Sequence, residues 1–168
     1  MERFTFTSQL EERFHEDLEA LLYFNPRQRH VRQGIESAIE RYGKPEISRK
    51  GTSLRMSVGE FQDSQCLFAL DGGPETVCLA GLIIYIRQDE ENLVVLHVAV
   101  QDAYSVDGEH AEEQLALQLL AKVREVARRI RGLRQIILLY RGGLSIPVHS
   151  NQGSKLDLSE LGKLESGD

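Results

Sequence analysis

With 168 residues, 41% of them hydrophobic and 27% charged, the chain has the length and composition of one globular domain, which excludes disordered and collagenous classes. Its net charge of -6 sets the surface as a whole against nucleic acid and anionic membranes, and no run reaches the roughly 18 continuous apolar residues of a membrane span. The opening stretch MERFTFTSQLEERF lacks the apolar core of a signal peptide, so a cytoplasmic protein is the expectation.

Ser8 and Glu11 stand at capping-box spacing, and Leu10, Phe14, Leu18, Leu21 and Leu22 recur at helical intervals, predicting a first helix over Gln9–Tyr23. Asn25 and Pro26 read as the N-cap and first-turn proline of a second helix, which carries Val31, Ile35, Ala38, Ile39 and Tyr42 and stops at Gly43. Its opening, PRQRHVRQG, places Arg27, Arg29, His30 and Arg32 where the helix dipole disfavours positive charge. The cluster is a candidate contact for a small anionic ligand or an acidic partner. The plainer alternative is that Glu36, Glu40 and acids of the first helix neutralise it on a solvated face.

The pattern then turns extended. Leu54–Phe61, Gln65–Leu70, Thr76–Arg87 and Leu93–Val100 are β-branched or aromatic runs separated by QDS, DGGPE and QDEEN. Connections this short predict an antiparallel four-strand meander, with Gly59 and Gly81 marking bulges. Cys66 and Cys78 flank DGGPE, so a hairpin would bring them near one another; without a histidine cluster they make no zinc site and read as two buried apolar thiols.

A polar loop, Gln101–Gly108, leads into a long helix over Glu109–Arg131 with an apolar stripe through Leu115, Leu119, Leu120, Val123 and Ala127. Gly132 stops it, and Gln135–Tyr140 is a short apolar strand. Strand, helix and strand joined by so long a crossover predict a parallel βαβ unit. After Gly142 and Gly143, LSIPVHS is the remaining strand candidate. The polar tail from Asn151 is expected to fray apart from a helical turn around Leu158–Leu164, leaving residues 1–150 as the domain.

This order of elements, with LHVAV at Leu96–Val100 and LALQLLAKVREVA after it, resembles the GNAT superfamily of N-acyltransferases over Ser8 to Tyr140. The resemblance implies an α/β fold with a GNAT-like mixed sheet, shortened at the carboxyl end. It also implies transfer of an acyl group from acetyl-CoA or another acyl-CoA to an amine. The pantetheine arm would pair with backbone at Leu96, Val98 and Val100, and loop amides at the helix start would hold the pyrophosphate.

Aligned on Leu119 and Leu120, the family's Gln/Arg-x-x-Gly-x-Gly/Ala loop falls on Ala111–Ala116. Ala111 replaces the leading basic or amide residue, Gln114 replaces the first glycine, and Ala116 fits. Glu109, Glu112 and Glu113 add carboxylates there. Each stabilises a helix start by about 0.3 to 1 kcal/mol and opposes an anionic ligand. Amides near Ser105 to Gly108 are the alternative cradle, with Gly108 as its flexible position. The expected cofactor contacts are therefore Leu96, Val98, Val100, Ser105, Gly108, Gln114 and Ala116.

His97 interrupts an apolar strand where the family's reacting carbonyl would lie and is the candidate base. Strict alternation puts it on one face with Val95 and Ala99, opposite Leu96, Val98 and Val100. Tyr140, at the end of the parallel strand, is the second catalytic candidate, and Tyr104 and His110 lie in or beside the loop. The residues after Tyr140 are too few for the fourth helix and two further strands that usually follow in the family. A second functional reading keeps the fold without cofactor or catalysis. The open sheet edge or the basic second helix would then engage a protein partner, a second copy of the chain or a small anionic ligand. No Ser-His-Asp order, metal-ligand cluster, Walker loop or nucleotide fingerprint supports a hydrolase, metalloenzyme or kinase.

Overall fold

The computed structural model describes residues 3–23, 32–59, 64–72, 76–105, 107–139 and 142–149. Along the chain these form β1 (Phe4–Thr7), β2 (Leu10–Glu11), α1 (His15–Tyr23), α2 (Arg32–Tyr42), β3 (Pro45–Lys50), β4 (Ser53–Val58), β5 (Gln65–Asp71), β6 (Cys78–Arg87), β7 (Asn92–Val100), α3 (Leu115–Arg129), β8 (Gln135–Leu138) and β9 (Leu144–Pro147). The fold is mixed α/β. A six-stranded sheet has the order β1-β5-β6-β7-β8-β9, and a smaller sheet has the order β2-β4-β3. Every ladder is antiparallel except that between β7 and β8, which α3 connects.

The six-stranded sheet is the middle layer. From Leu79 to Ile86 every residue of β6 is buried, as expected of a strand covered on both faces. On one side Ala80, Ile83, Leu93, Val95 and Ile136 pack against Leu115, Leu119, Val123 and Ala127 of α3. On the other, Leu82, Ile84, Val94 and Leu96 meet Leu18 and Leu22 of α1 and Leu54, Met56 and Val58 of β4. Fully burying one such side chain is worth about 1.5 to 3 kcal/mol, so two cores back to back fix β6 and β7 more firmly than any other strands.

Several elements depart from the sequence reading. The first helix begins at His15, not Gln9: Leu10–Glu11 pairs with β4, and a single 3-10 turn covers Glu12–Phe14. The Glu12 amide donates to Thr52 O at 3.1 Å, which ties the segment to the β3–β4 turn. The four-strand meander is a three-strand meander, β5 to β7. β4 leaves it to pair with β2 and β3, while β1, unforeseen, occupies the edge beside β5. Cys66 lies across from Ile84 and Cys78 across from Asp71, at opposite ends of the β5–β6 ladder, so the thiols do not meet; Cys66 is buried and Cys78 exposed. The start of the second helix, with Asn25, Pro26, Arg27, Arg29 and His30, lies outside the described residues, as does the tail from Ser150. Among the described residues no helix is long and apolar enough to cross a membrane.

Gly43 ends α2 as expected, at φ 99°, with its amide donating to Ile39 O at 2.8 Å. Gly59, at φ 55°, marks no bulge; it follows β4 and lies directly against Gly43. A Cβ on Gly43 would stand 2.6 Å from the Gly59 Cα, and one on Gly59 would stand 2.3 Å from the Tyr42 carbonyl oxygen. The helix end and the strand end touch through bare backbone. Gly43→Ala and Gly59→Ala should therefore each lower the unfolding free energy by about 2 kcal/mol or more. Gly51→Ala, at φ 63° but with no atom within 4 Å, should cost about 1 kcal/mol. Urea unfolding of the three variants measures the difference.

Candidate functional site

β7 carries the group that the sequence singled out. Its pairing with β6 runs Ile84↔His97 and then Tyr85↔Val95, so Leu96 is an extra residue with no partner of its own. One inserted residue reverses the alternation. Val95 faces α3, whereas Leu96 and Ala99 pack in the core on the α1 side, and Val98 and Val100 return to the α3 side. The expected grouping of His97 with Val95, opposite Leu96, is thus overturned by the bulge. Leu96 and His97 together line a small, largely apolar pocket of about 60 Å³, with Leu22 of α1, Ala38 and Ile39 of α2 and Val58 of β4. His97 is 5% exposed, and burial pushes its imidazole down to about 4.

The parallel ladder to β8 ends at the same place. It covers Asn92↔Gln135 to Val95↔Leu138, and β7 continues to Val100 beyond it. After Leu138 the chain folds back through a turn in which the Gly142 and Gly143 amides donate to Leu139 and Leu138, and it returns as β9. The strand expected in LSIPVHS is present. Tyr140 and the arginines Arg27 and Arg29 lie outside the described residues, and Arg32 opens the described part of α2.

Above the end of β7 sits the start of α3. Leu115 reaches over Gly81, where an added Cβ would lie 3.0 Å from Ala99 O, 3.1 Å from Val100 Cγ1 and 3.2 Å from Leu115 Cδ2. Gly81 stands beside a bulge, as the sequence suggested: Ala69 pairs with Gly81 and Leu70 with Leu79, leaving Ala80 as the extra residue. The helix starts at Leu115 and not at Glu109. Ala111–Glu113 form a separate 3-10 turn, and Gln114 takes the left-handed conformation at φ 48°, ψ 47°. Its carbonyl accepts from the Leu117 and Gln118 amides at 3.0 and 3.1 Å. Among the described residues nothing accepts from the amides of Leu115 and Ala116.

The loop between β7 and α3 is held by its own bonds. Ser105 Oγ donates to Asp102 O at 2.7 Å, the Gly108 amide donates to Ser105 O at 2.9 Å, and a Cβ on Gly108 would strike Asp102 O at 2.2 Å. Ser105 and Gly108 therefore shape the loop from within. Alongside lies a polar cluster that sequence reading missed. Arg3 contacts Asp71 Oδ2 through Nη2 at 3.0 Å and Glu113 Oε1 through Nη1 at 3.0 Å. The Tyr104 hydroxyl donates to the same Asp71 oxygen.

Burial alone would raise the Asp71 carboxyl, but the bonds from Arg3 and Tyr104 outweigh it and hold the carboxyl below its ordinary value. Burial and the Asp71 bond push Tyr104 up to about 12. His110 stacks near Tyr104 at 5.4 Å between ring centroids and lies 3.8 Å from Glu112. Of the three glutamates before α3, Glu113 thus lies against a guanidinium and Glu112 near an imidazole. Among the described residues no group of three His, Cys, Asp or Glu side chains is arranged to hold a metal ion.

Comparison of the chain with protein-family models, with curated proteins and with solved structures found no match.

The buried imidazole makes stability depend on pH. Because the folded His97 value lies below the unfolded value near 6.5, the unfolded chain binds the extra proton first, and stability falls as pH drops from 6.5 toward 4. Urea unfolding at pH 7 and pH 4.5 should differ by roughly 2 to 3 kcal/mol more in the natural chain than in His97→Gln.

Proposed function

We propose that this chain is a GNAT-like, acyl-CoA-dependent N-acyltransferase, with acyl-CoA at the end of β7 and the acceptor amine in the pocket beside Leu96 and His97. The observation that carries the reading is the coincidence of the Leu96 bulge with the end of the β7–β8 ladder at Val95. A strand that outruns its parallel neighbour can present backbone near Leu96 and Val98 to an extended, amide-containing arm such as pantetheine, which can add to the sheet as a further strand would.

The start of α3 fits a pyrophosphate better than its sequence suggests. Gln114 stands where the resembled family has its first glycine and adopts the positive φ that glycine takes at low cost. Among the described residues no acceptor meets the Leu115 and Ala116 amides, and Ala116 carries the smallest side chain available to an L-residue. Glu113, the carboxylate nearest this turn, is drawn to Arg3. Bound acyl-CoA supplies an activated carbonyl. The residues of this chain then have two tasks: the pocket excludes water from the amine, and the neutral His97 imidazole accepts the amine proton as the new C–N bond forms and the thioester C–S bond breaks, CoA leaving as a thiolate that takes that proton and departs as free thiol.

One observation favours the second reading, a binding module of the same fold without turnover. The burial that keeps His97 neutral also makes it a weak base at neutral pH. Binding and catalysis are therefore measured separately.

Calorimetric titration with acetyl-CoA and CoA should give a one-to-one complex. At a hundredfold excess over Kd the ligand should add about 2.7 kcal/mol of stability, a rise in melting midpoint of roughly 5 to 10 °C. Ala116→Glu, which sets a carboxylate over the helix amides, should weaken binding at least tenfold. Absence of heat and of any midpoint shift at millimolar CoA overturns the reading. Binding without release of free thiol across a panel of amines assigns the non-catalytic form.

A further inference from the structure

The pocket beside Leu96 and His97 lies where α2 ends against β4. The bare contact of Gly43 with Gly59 draws the helix end onto the strand end, and Gly43 itself forms part of the pocket wall. Its inner wall is buried and consists of Leu22 of α1, Val58 of β4, and Leu96 and His97 of β7. Its outer wall is Ile39, 38% exposed, together with Pro45 and the exposed Lys44. Ile39 and Leu144 are the large apolar side chains left exposed among the described residues, and Ile39 gives this pocket an apolar lip.

The charges around the pocket restrict what enters it. Among the described residues that line it, none is an aspartate or glutamate. Glu36 and Glu40 of α2 are exposed and stand outside the lining, so the titratable groups that face the pocket are His97 and Lys44. An alkylammonium ion would leave water for an apolar wall with no carboxylate to receive it and a lysine at the mouth. Shedding the proton first does not help: with an alkylamine near the lysine value of about 10.4, roughly one molecule in 2,500 is neutral at pH 7.

An aromatic amine avoids both penalties, because its nitrogen lone pair is shared with the ring and the amino group is uncharged at neutral pH. We infer that the acceptor in this pocket is an aromatic amine, its amino group reaching His97 and its ring lying against Ile39 and Pro45 at the mouth. The inference rests on the acyltransferase reading and narrows it to a substrate class. A pocket of about 60 Å³ has room for the amino group and the edge of the ring attached to it, which leaves the rest of the ring to the apolar lip. The N–C bond forms as the thioester C–S bond breaks. The proton lost from nitrogen passes to His97 and on to the departing thiolate, giving an N-aryl amide and free thiol. The low His97 value suits this partner, since a neutral amine nitrogen becomes strongly acidic once it has begun to bond to the carbonyl.

Aniline and cyclohexylamine have rings of similar size and differ in charge at pH 7, so they separate the two cases. NMR titration of the CoA-free chain, followed at the His97 ring and the Ile39 methyls, should show aniline binding about tenfold or more tightly than cyclohexylamine at pH 7. Raising the pH to 9 increases the neutral alkylamine about a hundredfold and should close that gap, with aniline binding unchanged. Ala38→Leu, which fills the pocket, should remove both sets of shifts. Ile39→Ser, at an exposed position that spares the fold, should weaken aniline about threefold. With acetyl-CoA present, thiol release should favour aniline by about tenfold at pH 7. An aniline titration without shifts at His97 and Ile39, or a preference for cyclohexylamine at pH 7, overturns the amine class and leaves the CoA reading intact. Failure of the chain to bind CoA in calorimetry overturns the acyltransferase reading, and the acceptor assignment falls with it.

Discussion

One inserted residue in β7 governs the arrangement around it. A strand covered on both faces has no tolerance for slippage, because each side chain must enter the core its parity assigns. By taking two residues, Val95 and Leu96, opposite one on β6, the strand changes parity midway without leaving the sheet. Its first half serves both cores in ordinary alternation. Its second half places Val98 and Val100 under the start of α3 and sends His97 with Leu96 toward α1 and α2. The bulged strand bends there, and the neighbouring β8 ends at the same level.

The parts of this fold that were legible in the sequence are those whose signal is local and two-sided. β5, β6 and β7 announce themselves as apolar runs, α3 by its stripe, and the ends of α2 and α3 by Gly43 and Gly132. β4 was found as a strand but assigned to the wrong sheet. Its alternation of Leu54, Met56 and Val58 with exposed or half-exposed residues is the mark of an outer layer, whereas β6 is apolar without interruption. β3 carries no apolar run that would mark it as a strand, because most of PEISRK faces water, and its strand character comes from pairing with β4 alone. The 3-10 turn at Ala111–Glu113 looked like the acidic opening of a helix, since acids near a helix start carry the same signature whether they belong to its first turn or precede it.

At the site, His97 was legible as a polar residue within an apolar strand, but the face it occupies was not. A bulge has no sequence signature as strong as the alternation it breaks. Arg3, Asp71, Tyr104 and Glu113 come from four separate parts of the chain, and no spacing rule connects them. The single hint was an arginine placed just before the alternating Phe4-Thr5-Phe6. In the folded chain this arginine answers both Asp71 at the end of β5 and Glu113 at the approach to α3. The acids that made the helix start look hostile to anions are therefore in part committed to holding the loop.

The position of β1 has a consequence for how the protein is made. Phe4 pairs with Asp71 and Thr7 with Phe68, so this strand leaves the ribosome well before its partner β5. Neither Arg3 nor Phe4 can be satisfied in the interval, and the aromatic pair Phe4 and Phe6 stays exposed while both helices and the small sheet are synthesised. Closing so long a loop is among the slower steps available to a chain of this size. One edge of the large sheet is thus sealed by a segment that must wait for β5 to be made.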